Sequence, residues 1–478
     1  MQLILVSFAT KLKEIIMTDR LAKENIWKLI LQFSIPAVVG QVVFALYNIV
    51  DRMFIGQELG TLAISSISVT LPIFTIITAF GMFIGIGSSS KISLCLGQGR
   101  KDVAERVIGN AIFVILVFNT LIMLVGYTFM DEILRAVGAT ESMIPIAASY
   151  MKIIYFFIGF QFIAMGLNGM IRAEGSPKKA MIVMLSGAIL NIFLDYLFVI
   201  VFKWGVEGAA IATKISSILS ACLTLYHFTH AKKRQLTLRW SALKPDFALI
   251  KSVLKIGFPL FILQIGVSLA ASFANSELKE YGGEMAIGAM GVISSIYLFT
   301  MLVNTGITQG IQPLIGYNYG HQSYSRVRKL LRISLCIAST ISLIIFIPIL
   351  VAPSAIVALF SDGDVAFMEM TVRGMQFFLM GLPLVGYNII GSSYFQSIGK
   401  PKKAGILFFL KQIIFYMGSL LILPIFLDLD GVFLSGTIAE ILLFIILAVF
   451  LYKEILVLKE AEREYDINQL KINPIKNI

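Results

Sequence analysis

Four positions place oxygen-bearing side chains inside long apolar runs: Asp51, Asn191, Asp195 and Thr213. A carboxylate at membrane depth costs roughly 2.5 to 3.5 kcal/mol on insertion scales, so each one needs a partner or a task. Asp195 lies about fourteen residues into its run, roughly 21 Å from the start at 1.5 Å per helical residue. Asn191 stands one helical turn earlier on the same face. Thr213, about nine residues into the next run, comes to a similar depth when consecutive runs are antiparallel. Carboxylate, carboxamide and hydroxyl oxygens are hard donors, suited to a proton, a water molecule or Na⁺. The same set also reads as a buried hydrogen-bond network that only locks helices together. Asp51 lies roughly 33 Å of helix beyond Leu29. Arg52 follows it, which suits a surface ion pair, but the apolar Met53-Phe54-Ile55 continues past both.

Two further charges lie within apolar runs. Lys411 and Glu440 fall about 13 Å and 16 Å from the same end of adjacent runs, so an interhelical ion pair is the economical reading. Lys214 reaches Asp195 or lines an aqueous cavity, and its partner is open. His227 and His230 stand at i and i+3, but with no Cys or carboxylate nearby in sequence they read as interfacial packing, not as a metal pair. Cys95, Cys222 and Cys336 form no CxxC pair and read as packing residues. Gly81, Gly85 and Gly87 suit close helix packing. No Walker pattern and no Ser/His/Asp or Cys/His arrangement is readable, so ATP hydrolysis and enzymatic catalysis are not expected.

The elements that carry these residues follow from composition. Hydrophobic residues make up 58% of the chain and charged residues 14%, with a mean hydropathy of +0.87. Such a chain needs lipid as its solvent, and unbroken apolar runs without alternation give helices, not barrel strands. Charge and Gly/Pro punctuation predict twelve spans: 29 to 54, 61 to 88, 107 to 128, 146 to 170, 180 to 202, 205 to 228, 252 to 275, 286 to 313, 331 to 351, 367 to 393, 403 to 426 and 431 to 452. Basic residues gather in alternate loops, as in Lys178-Lys179, Lys232-Lys233-Arg234 and Lys402-Lys403, while Asp131, Glu132, Asp362 and Asp364 mark the opposite loops. By the positive-inside rule both termini are cytoplasmic. The net charge of +11 therefore reports orientation, and no nucleic-acid partner is expected. Residues 1–16 do not read as a cleaved signal, since their apolar stretch precedes the lysines. They are an upstream start before Met17 or an amphipathic extension.

Sliding the chain by 223 or 224 residues pairs Pro36 with Pro259, Gln41 with Gln264 and Gly87 with Gly310, and superposes Gly175-Ser-Pro-Lys-Lys-Ala on Gly399-Lys-Pro-Lys-Lys-Ala. Two copies of a six-span unit therefore run in parallel, an arrangement used by alternating-access transporters. The expected organisation is an N-terminal extension 1–28, a lobe 29–228, a cytoplasmic linker 229–250, a second lobe 251–452 and a cytoplasmic tail 453–478. Asp51 aligns with Ala274 and Asp195 with Gly418 or Ser419. A residue needed by the scaffold alone should recur in both copies, so the asymmetry favours a specialised site in the first.

Four segments in this order, Leu46-Tyr-Asn-Ile-Val-Asp-Arg-Met-Phe-Ile-Gly56, Ile171-Arg-Ala-Glu-Gly-Ser-Pro177, Asn191-Ile-Phe-Leu-Asp195 and Gln309-Gly-Ile-Gln-Pro-Leu-Ile-Gly-Tyr-Asn-Tyr-Gly320, resemble the multidrug and toxic compound extrusion family over essentially all twelve spans. The resemblance implies an all-α membrane protein with a V-shaped pair of six-helix lobes and drug efflux coupled to H⁺ or Na⁺. It also implies that Asp51, Asn191, Asp195 and Thr213 occupy the cation-coupling positions and that the first span bends at Pro36. Gln41, Tyr47, Asn48, Gln161, Asn168 and Met184 are the expected substrate-cavity residues. Some members carry acidic coupling residues in the seventh and tenth spans. Here the seventh has Glu277 and Glu280 only at its outer end and the tenth has none, which argues against a coupling site in the second lobe. The expected protein is a monomer of the bacterial plasma membrane that exports amphipathic organic cations with no cofactor beyond the coupling ion. The alternative is a lipid-linked oligosaccharide flippase. That function calls for several Arg or Lys at mid-depth, and the chain offers chiefly Lys214 and Lys411.

Overall fold

The computed structural model describes residues 20–231, 234–358 and 364–472, so most of the expected N-terminal extension lies outside it. The first half consists of α1 (Ile26–Val69), α2 (Leu71–Gly97), α3 (Lys101–Thr128), α4 (Ile144–Phe156), α5 (Ile158–Ala173), α6 (Pro177–Asp195) and α7 (Gly205–Thr229). The second consists of α8 (Phe247–Gly320), α9 (Tyr324–Val351), α10 (Val365–Phe378), α11 (Leu382–Ser397), α12 (Pro401–Phe409) and α13 (Gly418–Ile472). Among the described residues nine helices or joined helices are long and apolar enough to cross a bilayer, and α4 with α5 forms a tenth span bent by 55°. Two of the nine are double: α8 reverses at Gly283 (φ 68°) and α13 at Asp428 (φ 47°). Counting each arm separately gives the twelve spans of the two-repeat arrangement.

One boundary differs clearly from the sequence expectation. Charge and Gly/Pro punctuation put the second span at 61 to 88, but α1 runs on through Gly56 and Gly60 to Val69, and α2 occupies Leu71–Gly97. The stop belongs to Pro72: it lacks an N–H and takes one of the first two positions of α2, while the Thr70 hydroxyl bonds the Ile67 carbonyl at 2.7 Å. The last helix also continues past 452 to Ile472.

The chain forms two compact units that do not follow chain order. Over the described residues, one comprises residue 20 and residues 35–261, the other residues 21–34 and 262–472. Within the first unit, glycine lets helices touch. A Cβ at Gly85 would stand 2.9 Å from the Gly166 Cα, and one at Gly87 would stand 2.3 Å from the Val253 carbonyl oxygen. The repeat mate Gly310 does the same in the second unit, where a Cβ would lie 2.6 Å from the Ser34 Cα. In that unit Arg326 also donates to the Glu24 carbonyl at 2.8 Å. Each repeat's first helix thus starts in one unit and ends in the other, and Pro36 and Pro259 stand within a few residues of the changeovers.

The segment between α7 and α8 is bound tightly to the first unit. Glu174 accepts from the backbone N–H groups of Gln235 at 3.2 Å and Leu236 at 3.1 Å, and Glu105 accepts from Thr237 at 3.1 Å. Asn110 accepts from the Asp246 N–H at 2.7 Å, and Arg106 pairs with Asp246 at 3.2 Å. Apart from a short 3-10 turn at Trp240–Leu243, the described backbone of this segment has these N–H groups satisfied by side chains, which tie it to the unit.

Candidate functional site

In the first unit α6 and α7 form an antiparallel pair. Lys203 (φ 57°) and Gly205 (φ 66°) reverse the chain, and Phe198 stacks on Trp204 with centroids 4.7 Å apart. Leu194, Phe198 and Ala212 form the local core. This pairing brings Asn191 opposite Thr213, with the carboxamide nitrogen 3.4 Å from the Thr213 hydroxyl.

Asp195 follows one turn later and is completely buried. Neither of its carboxylate oxygens, nor the Asn191 carbonyl oxygen, receives a donor from an amide or hydroxyl of the protein. Asp195 ends α6, and the helix then widens into a π turn over Tyr196–Val201, a distortion that recurs at functional sites. Asp51 of α1 is half-buried and stands within side-chain hydrogen-bonding reach of Asp195. Tyr47 lies close to both carboxyls. Two carboxyl groups this close in a low-dielectric surrounding do not both ionise cheaply. Asp51 is thus drawn to Asp195 rather than left at the surface, because α1 stays helical through its apolar flank.

The expected cavity residues divide. Gln41, Tyr47, Asn48, Gln161 and Met184 are half-buried. Met184 is packed on Gly40, where a Cβ would meet its sulfur at 2.9 Å, and Asn48 donates along its own helix to the Phe44 carbonyl at 2.6 Å. Asn168 is not with them. It is buried, donates to the Ala180 carbonyl at 2.9 Å and accepts from Arg172 at 2.5 Å. Ala180 lies fifteen residues before Asp195 on α6, about 22 Å at the helical rise, so Asn168 ties the far end of the bundle. Lys214 does not pair with Asp195. Its ammonium, on a residue 1% exposed, donates to Gln161 Oε1 at 2.7 Å and lies 6.0 Å from the Phe74 ring.

In the second unit Lys411 Nζ lies 2.7 Å from Glu440 Oε1. Tyr297 and Asn388, which sequence reasoning passed over, join this pair at 2.8 Å and 2.7 Å. Their polarity in apolar runs was the available signal. His227 also has a partner that was missed: its Nε2 contacts the completely buried Glu174, 53 residues away in sequence, while His230 stacks on Tyr226. Glu174 sits in the Ile171–Pro177 segment, and that segment was the clue. Of the cysteines only Cys95 is buried; Cys222 and Cys336 are exposed on their helices, as a lipid-facing position permits.

Comparison with known proteins agrees with this architecture. The sequence profile of the MatE family matches residues 36–197 and 259–421. The multidrug export protein MepA of Staphylococcus saprophyticus subsp. saprophyticus is 26% identical over 448 residues, which cover 92% of this chain and 97% of MepA. MepA of Staphylococcus aureus (strain MRSA252) is 27% identical over 442 residues, with the same coverage. Among solved structures, one described as MATE in complex with MaL6 superposes with a TM-score of 0.87 at 24% identity, covering 92% of this chain and 99% of that one. The two matched stretches, one in each repeat, together span most of the chain, and the chain belongs to the MatE family.

Proposed function

We propose that this protein exports amphipathic organic cations by alternating access, in exchange for H⁺ or Na⁺ held by Asp51, Asn191, Asp195 and Thr213. The observation that carries this reading is Asp195, buried beside Asp51 with both oxygens lacking a protein amide or hydroxyl donor. A carboxylate so placed is stable only when a mobile cation supplies the missing charge or proton. When that ion leaves, the negative charge returns, and an organic cation satisfies it instead. The two ligands then exclude each other, so a gradient of one drives the other. Pro36, next to the point where α1 passes between units, is the proposed hinge of that cycle. The similarity to proteins named multidrug export proteins supports a broad substrate range. We place the protein in the bacterial plasma membrane as a monomer with both termini cytoplasmic, driven by an ion gradient without ATP.

The flippase alternative is less well supported. Lys214, a basic group it would need, is buried and already engaged by Gln161 and Phe74. The deciding experiment is transport of a fluorescent cation in proteoliposomes under separately imposed pH and sodium gradients. One of the two gradients should drive transport in the wild type, and neither should in Asp195→Asn or Asp51→Asn at equal protein content. Normal gradient-driven transport by the double variant would refute the coupling site.

A further inference from the structure

Where α12 begins, the second unit holds more positive charge than it neutralises. Glu454, in the second arm of α13, is completely buried. Its Oε1 receives Lys400 Nζ at 2.5 Å and its Oε2 receives Lys403 Nζ at 2.8 Å, so two ammonium groups share one carboxylate and one charge is left over. Lys402, between them in sequence, is exposed and adds another, and the first turn of α12 carries no acidic residue to offset it. The two paired lysines are not sealed in, since their side chains are 30% and 39% exposed over a carboxylate with no exposure. The Phe395 ring, 5.3 Å from the Lys403 ammonium, steadies that side chain.

The first repeat shows that the scaffold does not require this arrangement. At the 224-residue shift Lys402 and Lys403 align with Lys178 and Lys179, but Lys400 aligns with Ser176 and Glu454 with His230. In the first repeat Lys179 stands 3.5 Å from His227 Nδ1. Two lysines on one buried carboxylate are thus a feature of the second repeat.

The cluster also faces lipid. Lys402, Ile406 and Phe409 follow one another at helical spacing on α12, and all three are exposed. Exposed isoleucine and phenylalanine on a spanning helix meet acyl chains, so Lys402 stands at the head of a lipid-facing stripe, about 6 Å along the helix from Ile406. α13 repeats the pattern: Ile445, Val449, Tyr452 and Leu456 are exposed in turn, and Lys459 and Arg463 end their stripe. The three lysines of α12 therefore lie in the layer of lipid phosphates.

We propose that Lys400, Lys402 and Lys403 bind the phosphate of an anionic phospholipid, and that Glu454 is the buried anchor that holds two of the ammonium groups side by side. A phosphodiester carries one negative charge and accepts charge-assisted hydrogen bonds from ammonium groups. That charge cancels the one that Glu454 leaves over. The acyl chains run down the Ile406 and Phe409 side of α12, an apolar contact that free phosphate cannot make. The site is separate from Asp51 and Asp195 and does not depend on which ion drives transport.

Titration of the purified protein in detergent with phosphatidylglycerol, phosphatidylcholine or inorganic phosphate, with bound molecules counted by native mass spectrometry, tests this. The wild type should bind phosphatidylglycerol at least about tenfold more tightly than phosphatidylcholine, and inorganic phosphate should not displace it. The triple variant Lys400→Gln, Lys403→Gln, Glu454→Gln dismantles the site without stranding a buried carboxylate. It removes two cations and one anion, and it should lose the preference for phosphatidylglycerol. Lys459→Gln lowers the net charge by the same amount and should keep that preference. Equal losses in the two variants would mean a diffuse attraction to a basic surface and would overturn the proposal. Equal affinity of the wild type for both lipids, or displacement of phosphatidylglycerol by inorganic phosphate, would overturn it as well. Unfolding temperatures measured in phosphatidylcholine establish that the variants are folded. Should the triple variant unfold early, the exposed Lys402 decides: Lys402→Gln should lower the affinity for phosphatidylglycerol about fivefold, and an unchanged affinity would count against the site.

Discussion

Among the buried ionisable residues, Asp195 and Glu440 differ in what neutralises them. Asp195 has no resident cation and no amide or hydroxyl donor, whereas Glu440 has Lys411, Tyr297 and Asn388. Truncating one member of a buried pair strands the other charge, at a cost of about 3–5 kcal/mol, whereas replacing both with apolar residues is often near neutral. Lys411→Met and Glu440→Leu should therefore each lower the thermal unfolding temperature in detergent more than the double variant does. Additive losses would count against a direct contact. Asp195→Asn should behave oppositely, since an amide there removes a charge that nothing in the protein balances. It should unfold no earlier than the wild type while losing gradient-driven transport, and a marked drop in unfolding temperature would show that Asp195 is a packing residue.

At the scale of elements, the connection between the repeats is set by side chains of the first unit. Glu174 alone holds two backbone N–H groups and His227. Glu174→Ala would leave those donors unsatisfied at about 1–3 kcal/mol apiece. Hydrogen exchange in Gln235–Leu236 should then accelerate while α6 and α7 keep their protection. Equal acceleration throughout the unit would mean that Glu174 stabilises the bundle and not the connection. Sequence spacing exposed half of this arrangement. Glu174 stands in a segment that the family resemblance marked, but its partners lie 53 to 62 residues away, and helical periodicity carries no information across that distance. Glycine was more legible. Gly85 and Gly87 have the spacing of close-packing positions, and a β-carbon at either would collide with backbone.

For the whole molecule, sidedness is the property that loop charge dictates. In a background lacking Cys95, Cys222 and Cys336, single cysteines at Ser142 and Ser241, both exposed, should label from outside and from inside the cell respectively. The reverse pattern would overturn the topology. Composition and apolar run length determined the helical membrane fold, and the repeat determined its two six-span halves, because a bilayer admits so few ways of pairing a backbone. Depth counting brought Asn191 and Thr213 to one level because consecutive spans are antiparallel and rise by a fixed increment. Tertiary structure decided what counting cannot: that Lys214 turns to Gln161 and not to Asp195, that Asn168 ties helices far from the site, and that Leu21–Ser34 belongs with the second unit. Each of these depends on the rotation of a helix about its axis and on which neighbour it meets. Packing fixes both, and no residue's spacing along the chain encodes them.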